Sequence, residues 1–159
     1  MQDFVHLHVH TQYSILDGQA SIPRLVDKAM ADGMKGIAVT DHGDMFGIKE
    51  FTNYVNKKNS GPKGEVKDLK KRIAGIEAGT IECEDKEAEI AACKAKIVEA
   101  ENKLFKPIIG CEMYVARRTM DLKEGKPDQS GYHLIVLAKN ETGYHNLIKL
   151  VSHAWTRGY

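Results

Sequence analysis

The stretch Val5-His6-Leu7-His8-Val9-His10 is the part of the sequence that decides which fold we predict. Its alternation of apolar residues and histidines predicts a β-strand, because successive side chains of an extended chain point to opposite faces. Val5, Leu7 and Val9 would then share one face and the three histidines the other. Imidazole is poor core material, since its nitrogens need polar partners, but it is a good metal ligand. We therefore expect a metal site here rather than a strand that merely exposes its histidines.

The composition narrows the class of protein. The chain has 159 residues, a length that fits one domain, and 42% of them are hydrophobic, as in soluble globular proteins. Its formal net charge of +1 gives no overall basic footprint for nucleic acid. We expect no membrane association and a cytoplasmic location, because neither an apolar run of membrane-spanning length nor a signal-peptide pattern is found. The three cysteines lack C-x-x-C spacing, which favours reduced thiols.

The first half of the sequence has the order of an α/β protein. Ser21 is a plausible helix N-cap, and Asp32-Gly33 ends the predicted helix. The apolar run 36–40 predicts a strand covered on both faces, followed by a helix over 48–58. Asp41-His42-Gly43 then lies at the C-terminal end of a strand, where α/β folds place their chemistry.

Residues 60–104 differ in character from what precedes them. Ser60-Gly61-Pro62 predicts a helix break, and the segment that follows is rich in Lys and Glu. Its apolar residues recur every three or four positions, a pattern typical of two helices packed along a seam, with a turn near Gly79-Thr80. The seam residues are Val66, Leu69, Ile73, Ile76, Ile90, Cys93, Ile97, Ala100 and Leu104. We predict an inserted antiparallel helical hairpin, either a solvated insertion or a partner-binding arm.

The α/β pattern resumes after this segment. Strands are predicted over 106–110, 111–116 and 132–138, with a long polar loop over 117–131 and a last helix capped by Asn140 or Thr142. In the second of these strands Glu112 and Tyr114 share one face.

Polar residues interrupt or directly follow these apolar strands. Imidazole and carboxylate groups at the ends of several strands suit zinc, manganese or iron, and such clusters support hydrolysis with several metals. The residues concerned are His8, His10, Asp17, Asp41, His42, Glu112 and His133.

Four motifs in this order resemble the polymerase and histidinol phosphatase (PHP) family. They are His8-Val9-His10-Thr11 with Tyr13-Ser14 and Leu16-Asp17-Gly18, then Thr40-Asp41-His42-Gly43, then Gly110-Cys111-Glu112, then residues 133–140. The segment from Leu137 to Leu150 is similar to the form at the N-terminus of bacterial replicative DNA polymerase III alpha subunits. The resemblance covers residues 4–59 and 105–158.

The resemblance implies a distorted, TIM-like β/α barrel that binds up to three divalent metals through nine ligands. Six of these fall on His8, His10, Asp17, His42, Glu112 and His133, which are our metal ligands and catalytic candidates. The other three belong to the second half of the barrel, and nothing in this sequence matches them. We therefore expect residues 1–159 to be the first half of a PHP domain, with the hairpin at 60–104 inserted in it and the polymerase domains absent.

The resemblance also implies a function. The parent protein would be a DNA-directed DNA polymerase whose PHP site is a metal-dependent phosphoesterase of the 3′→5′ proofreading exonuclease type, inactive in this chain alone. Its partners would be primer-template DNA, other replicase subunits and a separate proofreading subunit. One alternative is a non-catalytic PHP domain that stabilises the polymerase and docks partners. The other is a stand-alone phosphatase.

Several residues receive subsidiary predictions. We expect His6 and Asp41 to support the ligands from behind, and Arg117 and Arg118 to be candidates for contact with a nucleic-acid backbone. Because half a barrel leaves an unpaired strand edge, we also expect the chain to self-associate.

Overall fold

The computed structural model describes residues 4–158, so residues 1–3 and 159 of the predicted domain lie outside the described part of the chain. The chain divides into two compact units, one formed by residues 1–54 and 106–159 and the other by residues 55–105. Within the described range the helices are α1 (Ile22–Ala31), α2 (Ile48–Lys58), α3 (Ser60–Glu77), α4 (Lys86–Asn102) and α5 (Glu141–Arg157), and the strands are β1 (Gly36–Val39), β2 (Lys106–Val115) and β3 (Tyr132–Leu137).

The three strands form one sheet with β2 in the middle. The first half of β2 pairs in parallel with β1, from Gly36 opposite Lys106 to Val39 opposite Ile109. Its second half pairs antiparallel with β3. A mixed sheet with helices confirms the α/β class, whereas closure into a barrel stays a prediction.

The predicted break between two strands at Gly110 is wrong, because β2 runs through it as one strand of ten residues. Glycine is needed there for packing instead. A Cβ at Gly110 would lie 2.7 Å from the Val136 carbonyl oxygen of β3 and 2.8 Å from the Thr40 methyl group. The small residue therefore lets both neighbours approach the middle strand.

The predicted strand over residues 5–10, here called the histidine segment, is not a regular strand. It follows β1 through two main-chain hydrogen bonds, from the Ala38 N–H to the His6 carbonyl and from the Thr40 N–H to the Val9 carbonyl. The four residues from His6 to Val9 thus lie opposite the three residues from Ala38 to Thr40, so the segment has one extra residue, as at a β-bulge. The extra residue breaks the alternation of faces, so Leu7 is half exposed instead of buried.

Helices α1 and α2 agree with the prediction. The first begins after Ser21 and ends before Gly33, whose φ of +80° is the left-handed conformation that ends many helices. Ile22 and Val26 are fully buried in α1, which packs on β1. The predicted break at Ser60-Gly61-Pro62 lies one residue earlier, at Asn59, because Pro62 is accommodated in the first turn of α3.

The unit of residues 55–105 contains the two predicted helices α3 and α4. All nine seam residues are buried or half-buried, and Ile76 and Ala100 are fully so. The turn between the helices contains Gly79 at a φ of +74°. Arg72 of α3 contacts Glu89 of α4 at 2.8 Å, as expected for an antiparallel pair. That this unit is an insertion in a barrel stays a prediction.

A buried asparagine joins the two ends of this unit. The Asn59 side-chain amide donates to the Phe105 carbonyl at 2.8 Å and its oxygen accepts from the Phe105 N–H at 2.9 Å. Asn59 therefore satisfies both main-chain polar groups of a buried residue, which would otherwise lack partners.

The sheet leaves apolar surface uncovered. Within residues 4–158 the far edge of β3 has no strand beside it, and both Tyr132 and Leu134 on this strand are more than half exposed. Self-association through this edge stays a prediction. None of the helices described is long and apolar enough to cross a membrane.

Substitution Asn59→Ala is expected to lower the free energy of unfolding by about 1–3 kcal/mol, because it leaves the buried N–H and carbonyl of Phe105 without hydrogen-bond partners. Urea denaturation followed by circular dichroism measures this. The matched control is Asn53→Ala, the same change at an exposed position of α2. Equal midpoints for the two variants would refute the role given to Asn59.

Substitution Thr40→Val is expected to cost about 1–2 kcal/mol of unfolding free energy. The Thr40 hydroxyl accepts from the Val9 N–H at 2.9 Å, and valine keeps the shape but removes this bond to the histidine segment. Thr52→Val is the control, because the Thr52 hydroxyl bonds only to carbonyls of its own helix. A Thr40→Val loss no larger than that of the control, in the same denaturation assay, would show that the segment does not depend on this bond.

Candidate metal centre

The structure brings all six predicted ligands together in the unit that contains the sheet. They come from five positions of the fold. His8 and His10 lie in the histidine segment, Asp17 in the loop before α1, His42 directly after β1, Glu112 on β2 and His133 on β3. We call these six residues the ligand cluster.

Glu112 is at the centre of the ligand cluster. Its side chain is only 5% exposed, although it carries a carboxylate. One oxygen, Oε1, lies 2.7 Å from Nδ1 of His133. The other, Oε2, lies 2.6 Å from Nε2 of His10 and 3.5 Å from Nε2 of His8. The two oxygens thus face different histidines, so each oxygen would be available to a different cation.

Asp17 completes the opposite side of the cluster. Its two carboxylate oxygens lie 3.0 Å from Nδ1 of His10 and 3.0 Å from Nδ1 of His42. His10 therefore presents one ring nitrogen to Asp17 and the other to Glu112. A neutral imidazole has one free lone pair, so His10 can ligate one ion through either nitrogen while the other nitrogen donates a hydrogen bond.

The ligand atoms fall into three groups, each spanning no more than 4.8 Å. The groups are His8, His10 and Glu112; His10, Asp17 and His42; and His42, Glu112 and His133. His10, His42 and Glu112 each belong to two groups, so the three candidate positions adjoin one another.

Two buried atoms test whether the cluster fits metal ions. Nε2 of His42 and Oε2 of Glu112 are buried and have no hydrogen-bond partner. Oε2 has imidazole nitrogens close by, but none is aligned as a hydrogen-bond donor. A buried carboxylate oxygen without a hydrogen bond is costly unless a cation compensates it. The donor set of imidazole and carboxylate suits zinc, manganese or iron, and the residues present therefore fit divalent metals.

The electrostatics keep the carboxylates ionised. Burial raises the pKa of Glu112, but the hydrogen bond from His133 and the charge of His10 outweigh it, so the pKa lies below its ordinary value. The hydrogen bond from His42 lowers the pKa of Asp17. By contrast, burial raises the pKa of the neighbouring Cys111 thiol to about 12. Cys111 thus remains a neutral, fully buried thiol, and the ligands are oxygen and nitrogen atoms.

A buried hydrogen-bond network holds the ligands from behind. The Asp41 carboxylate, 1% exposed, accepts from the Thr11 N–H at 2.6 Å and from the Thr11 hydroxyl at 2.9 Å. The Ser14 hydroxyl donates to Asp41 at 3.2 Å and accepts from the His42 N–H at 2.8 Å. Asp41 therefore fixes the loop between His10 and Asp17 rather than an imidazole ring. We call Thr11, Ser14 and Asp41 the Asp41 network.

Thr11 and Ser14 were not predicted to have roles, although both are polar and follow the histidine segment. Such hydroxyls in a loop usually face solvent. A fully buried Asp41 needs several donors, however, and these two are the nearest in sequence to the first ligands.

Exposed aromatic rings lie beside the cluster, and their contacts there were not predicted. Tyr114 stacks on His42 with a distance of 4.7 Å between ring centroids, and burial raises its pKa. The indole N–H of Trp155 on α5 donates to the Gly43 carbonyl at 2.8 Å. Phe46 lies beside that indole, with 6.0 Å between ring centroids.

The remaining predicted residues lie outside the ligand cluster. His6 is exposed and packs edge-on against Phe4, so its supporting role stays a prediction. Arg118 pairs with both Asp128 and Glu124. Arg117 lies over the ring of Tyr132, at 5.5 Å from its centroid. Contact of either arginine with nucleic acid stays a prediction.

Substitution Ser14→Ala is expected to weaken zinc or manganese binding about 10- to 100-fold, because it frees the main chain of His42 and removes one donor from Asp41. Titration calorimetry of the chain measures the affinity. Ser152→Ala, at an exposed position of α5, is the matched control. If Ser14→Ala binds metal as tightly as the control does, the Asp41 network does not position the ligands.

The sequence of the chain is similar to those of known proteins. The chain is 38% identical over 156 residues to the DNA polymerase III subunit alpha of Treponema pallidum, and 38% identical over 159 residues to that of Borreliella burgdorferi. Both alignments cover 98% of this chain and 10% of the relative. A third such subunit, from Aquifex aeolicus, is 31% identical over 164 residues, covering 99% of this chain and 10% of the relative.

The chain thus spans about a tenth of the length of these curated relatives. The family model of the PHP domain matches residues 6–159, which include the whole ligand cluster. The chain belongs to the PHP domain family.

Proposed function

We propose that this chain is the PHP module of a bacterial replicative DNA polymerase, and that its ligand cluster binds up to three divalent metal ions for phosphoester hydrolysis. The observation that carries the proposal is the overlap of the three ligand groups around Glu112. Overlapping groups would hold adjacent ions, which is the arrangement that clamps both the attacking and the leaving oxygen of a phosphate.

The residues of this chain would have separate roles in metal binding and in positioning. The candidate positions are the group of His8, His10 and Glu112, the group of His10, Asp17 and His42, and the group of His42, Glu112 and His133; each histidine would ligate one ion, and only a carboxylate would serve two. Bound divalent ions supply a water of lowered pKa and neutralise charge on the phosphate. Glu112 stays ionised at neutral pH because its pKa is depressed, and it sets the spacing of the positions it shares. The Asp41 network keeps the histidine segment, the Asp17 loop and His42 in register.

The exposed ligands leave room both for the further ligands expected from the rest of the barrel and for a substrate. The side chains of His8, Asp17 and His133 are 50%, 42% and 48% exposed, whereas Glu112 beneath them is buried. Structural zinc sites are closed, while catalytic sites keep open positions for water or substrate. Such an open rim would admit the phosphodiester of a DNA end.

The relatives suggest the substrate and the partners. Their name, DNA polymerase III subunit alpha, leads us to propose a DNA primer-template and other replicase subunits as partners, in the bacterial cytoplasm. The PHP site would remove mismatched 3′ nucleotides. The rest of a β/α barrel and three further ligands would come from polypeptide beyond these 159 residues, so we expect this chain alone to be inactive.

A structural role is the second candidate. Two main-chain hydrogen bonds, to the His6 and Val9 carbonyls, hold the histidine segment against the chain of β1. Metal ions on His8 and His10 would fasten that segment, so the site could serve stability and the docking of a separate proofreading subunit. A stand-alone phosphatase is disfavoured by the relatives.

The decisive experiment uses the complete polypeptide that carries this chain. A primer with a mismatched 3′ end is incubated with manganese or zinc, and released mononucleotides are counted. Glu112→Gln should reduce release at least about 100-fold, because it removes a ligand shared by two positions. Glu99→Gln, the same change at an exposed position of α4, should leave release unchanged.

The outcomes separate the two candidates. No mononucleotide release from the unmodified polypeptide would overturn the proofreading activity. If Glu112→Gln also lowered the melting temperature by several degrees in the presence of metal, the structural role would take its place.

A further inference from the structure

We infer that Phe46 and Trp155, here called the aromatic platform, stack on the base of the nucleotide whose phosphate binds at the ligand cluster. This inference rests on the proposed function, because it names the part of the substrate that those two rings recognise. It makes them binding residues for the base, distinct from the residues that hold metal.

The platform is exposed and yet held in place. Phe46 and Trp155 are 63% and 66% exposed, and their ring centroids lie 6.0 Å apart. The indole N–H is bonded to the Gly43 carbonyl across the fold, so the ring has a fixed polar anchor and open faces. Adjoining exposed apolar side chains, unlike single ones, commonly mark binding sites.

The anchor connects the platform to the metal centre. Gly43 directly follows His42, one residue or about 3.8 Å along the chain. The Gly43 N–H bonds to the carbonyl of Glu112, and a Cβ at this glycine would lie 3.7 Å from the Tyr114 ring. Gly43 lies between His42 and the platform and has a φ of +71°, a conformation that residues with a side chain rarely adopt. A nucleotide bound through its phosphate at His42 would therefore have its base near the platform.

The chemistry of the platform suits a base of any sequence. Every base has a π-face, and stacking on an aromatic side chain strengthens binding about 5- to 150-fold for each base. A proofreading site must accept any of the four bases, and stacking provides affinity without reading hydrogen-bonding edges. The alternative binding partner of these exposed rings is a second copy of this chain.

The chain supplies its own reporter, since Trp155 is its single tryptophan. Trp155 emission is recorded while the zinc-loaded chain is titrated with thymidine 5′-monophosphate or with deoxyribose 5-phosphate, which lacks the base. The nucleotide should shift or quench the emission and bind at least about fivefold more tightly than the sugar phosphate. Phe46→Leu should remove most of this difference and leave the affinity for the sugar phosphate unchanged.

Phe4→Leu is the matched control, because Phe4 is similarly exposed and packs on His6, outside the ligand cluster. Equal affinities for the two ligands, or no effect of Phe46→Leu, would overturn the platform while leaving the phosphate site intact. If neither phosphate binds, the platform is overturned, whereas the proposed function is decided by mononucleotide release from the complete polypeptide. Emission that changes on dilution of the chain alone would assign the platform to contact between copies.

Discussion

The buried carboxylate of Asp41 is the constraint on which the metal centre depends. A carboxylate removed from water needs several donors, and Asp41 finds them in the main chain and hydroxyl of Thr11 and in Ser14. These bonds fix the loop between His10 and Asp17 against the end of β1. The ligand His42 is held by the same serine. Three of the six predicted ligands thus owe their positions to one buried carboxylate that makes no hydrogen bond to their side chains.

Glu112, in contrast to Asp41, is a buried carboxylate that contacts the predicted ligands directly. It lies in the half of β2 that pairs with β3, and it also forms an isolated bridge to His42 beyond the end of β1. The sheet therefore delivers a buried carboxylate to the place where the histidine segment, β1 and β3 meet. Such a charge is stable only among cations or donors, and its depressed pKa shows that the surrounding imidazoles favour the charged form. Binding of divalent ions would complete this compensation.

Much of the fold and the site could be predicted because the signals are local. Ser21 and Gly33 bound α1 through helix-end chemistry, and the seam of α3 and α4 follows from spacing alone. Polar groups at strand ends indicated the members of the cluster together with Asp41, and the family resemblance selected the six predicted ligands among them. The extra residue in the histidine segment could not be predicted, because a bulge depends on the partner strand and on the Thr40 hydroxyl. The roles of Thr11, Ser14 and Trp155 depend on contacts with residues distant in sequence, which no local pattern specifies.

The central claim is that imidazole and carboxylate groups of this chain coordinate metal around Glu112. X-ray absorption spectroscopy at the zinc edge, on the chain loaded with one equivalent of zinc, tests it most directly. The account predicts nitrogen and oxygen neighbours at about 2.0–2.1 Å, at least two of them imidazoles, and no sulfur. Sulfur at about 2.3 Å, or a zinc ion surrounded only by water, would contradict the account.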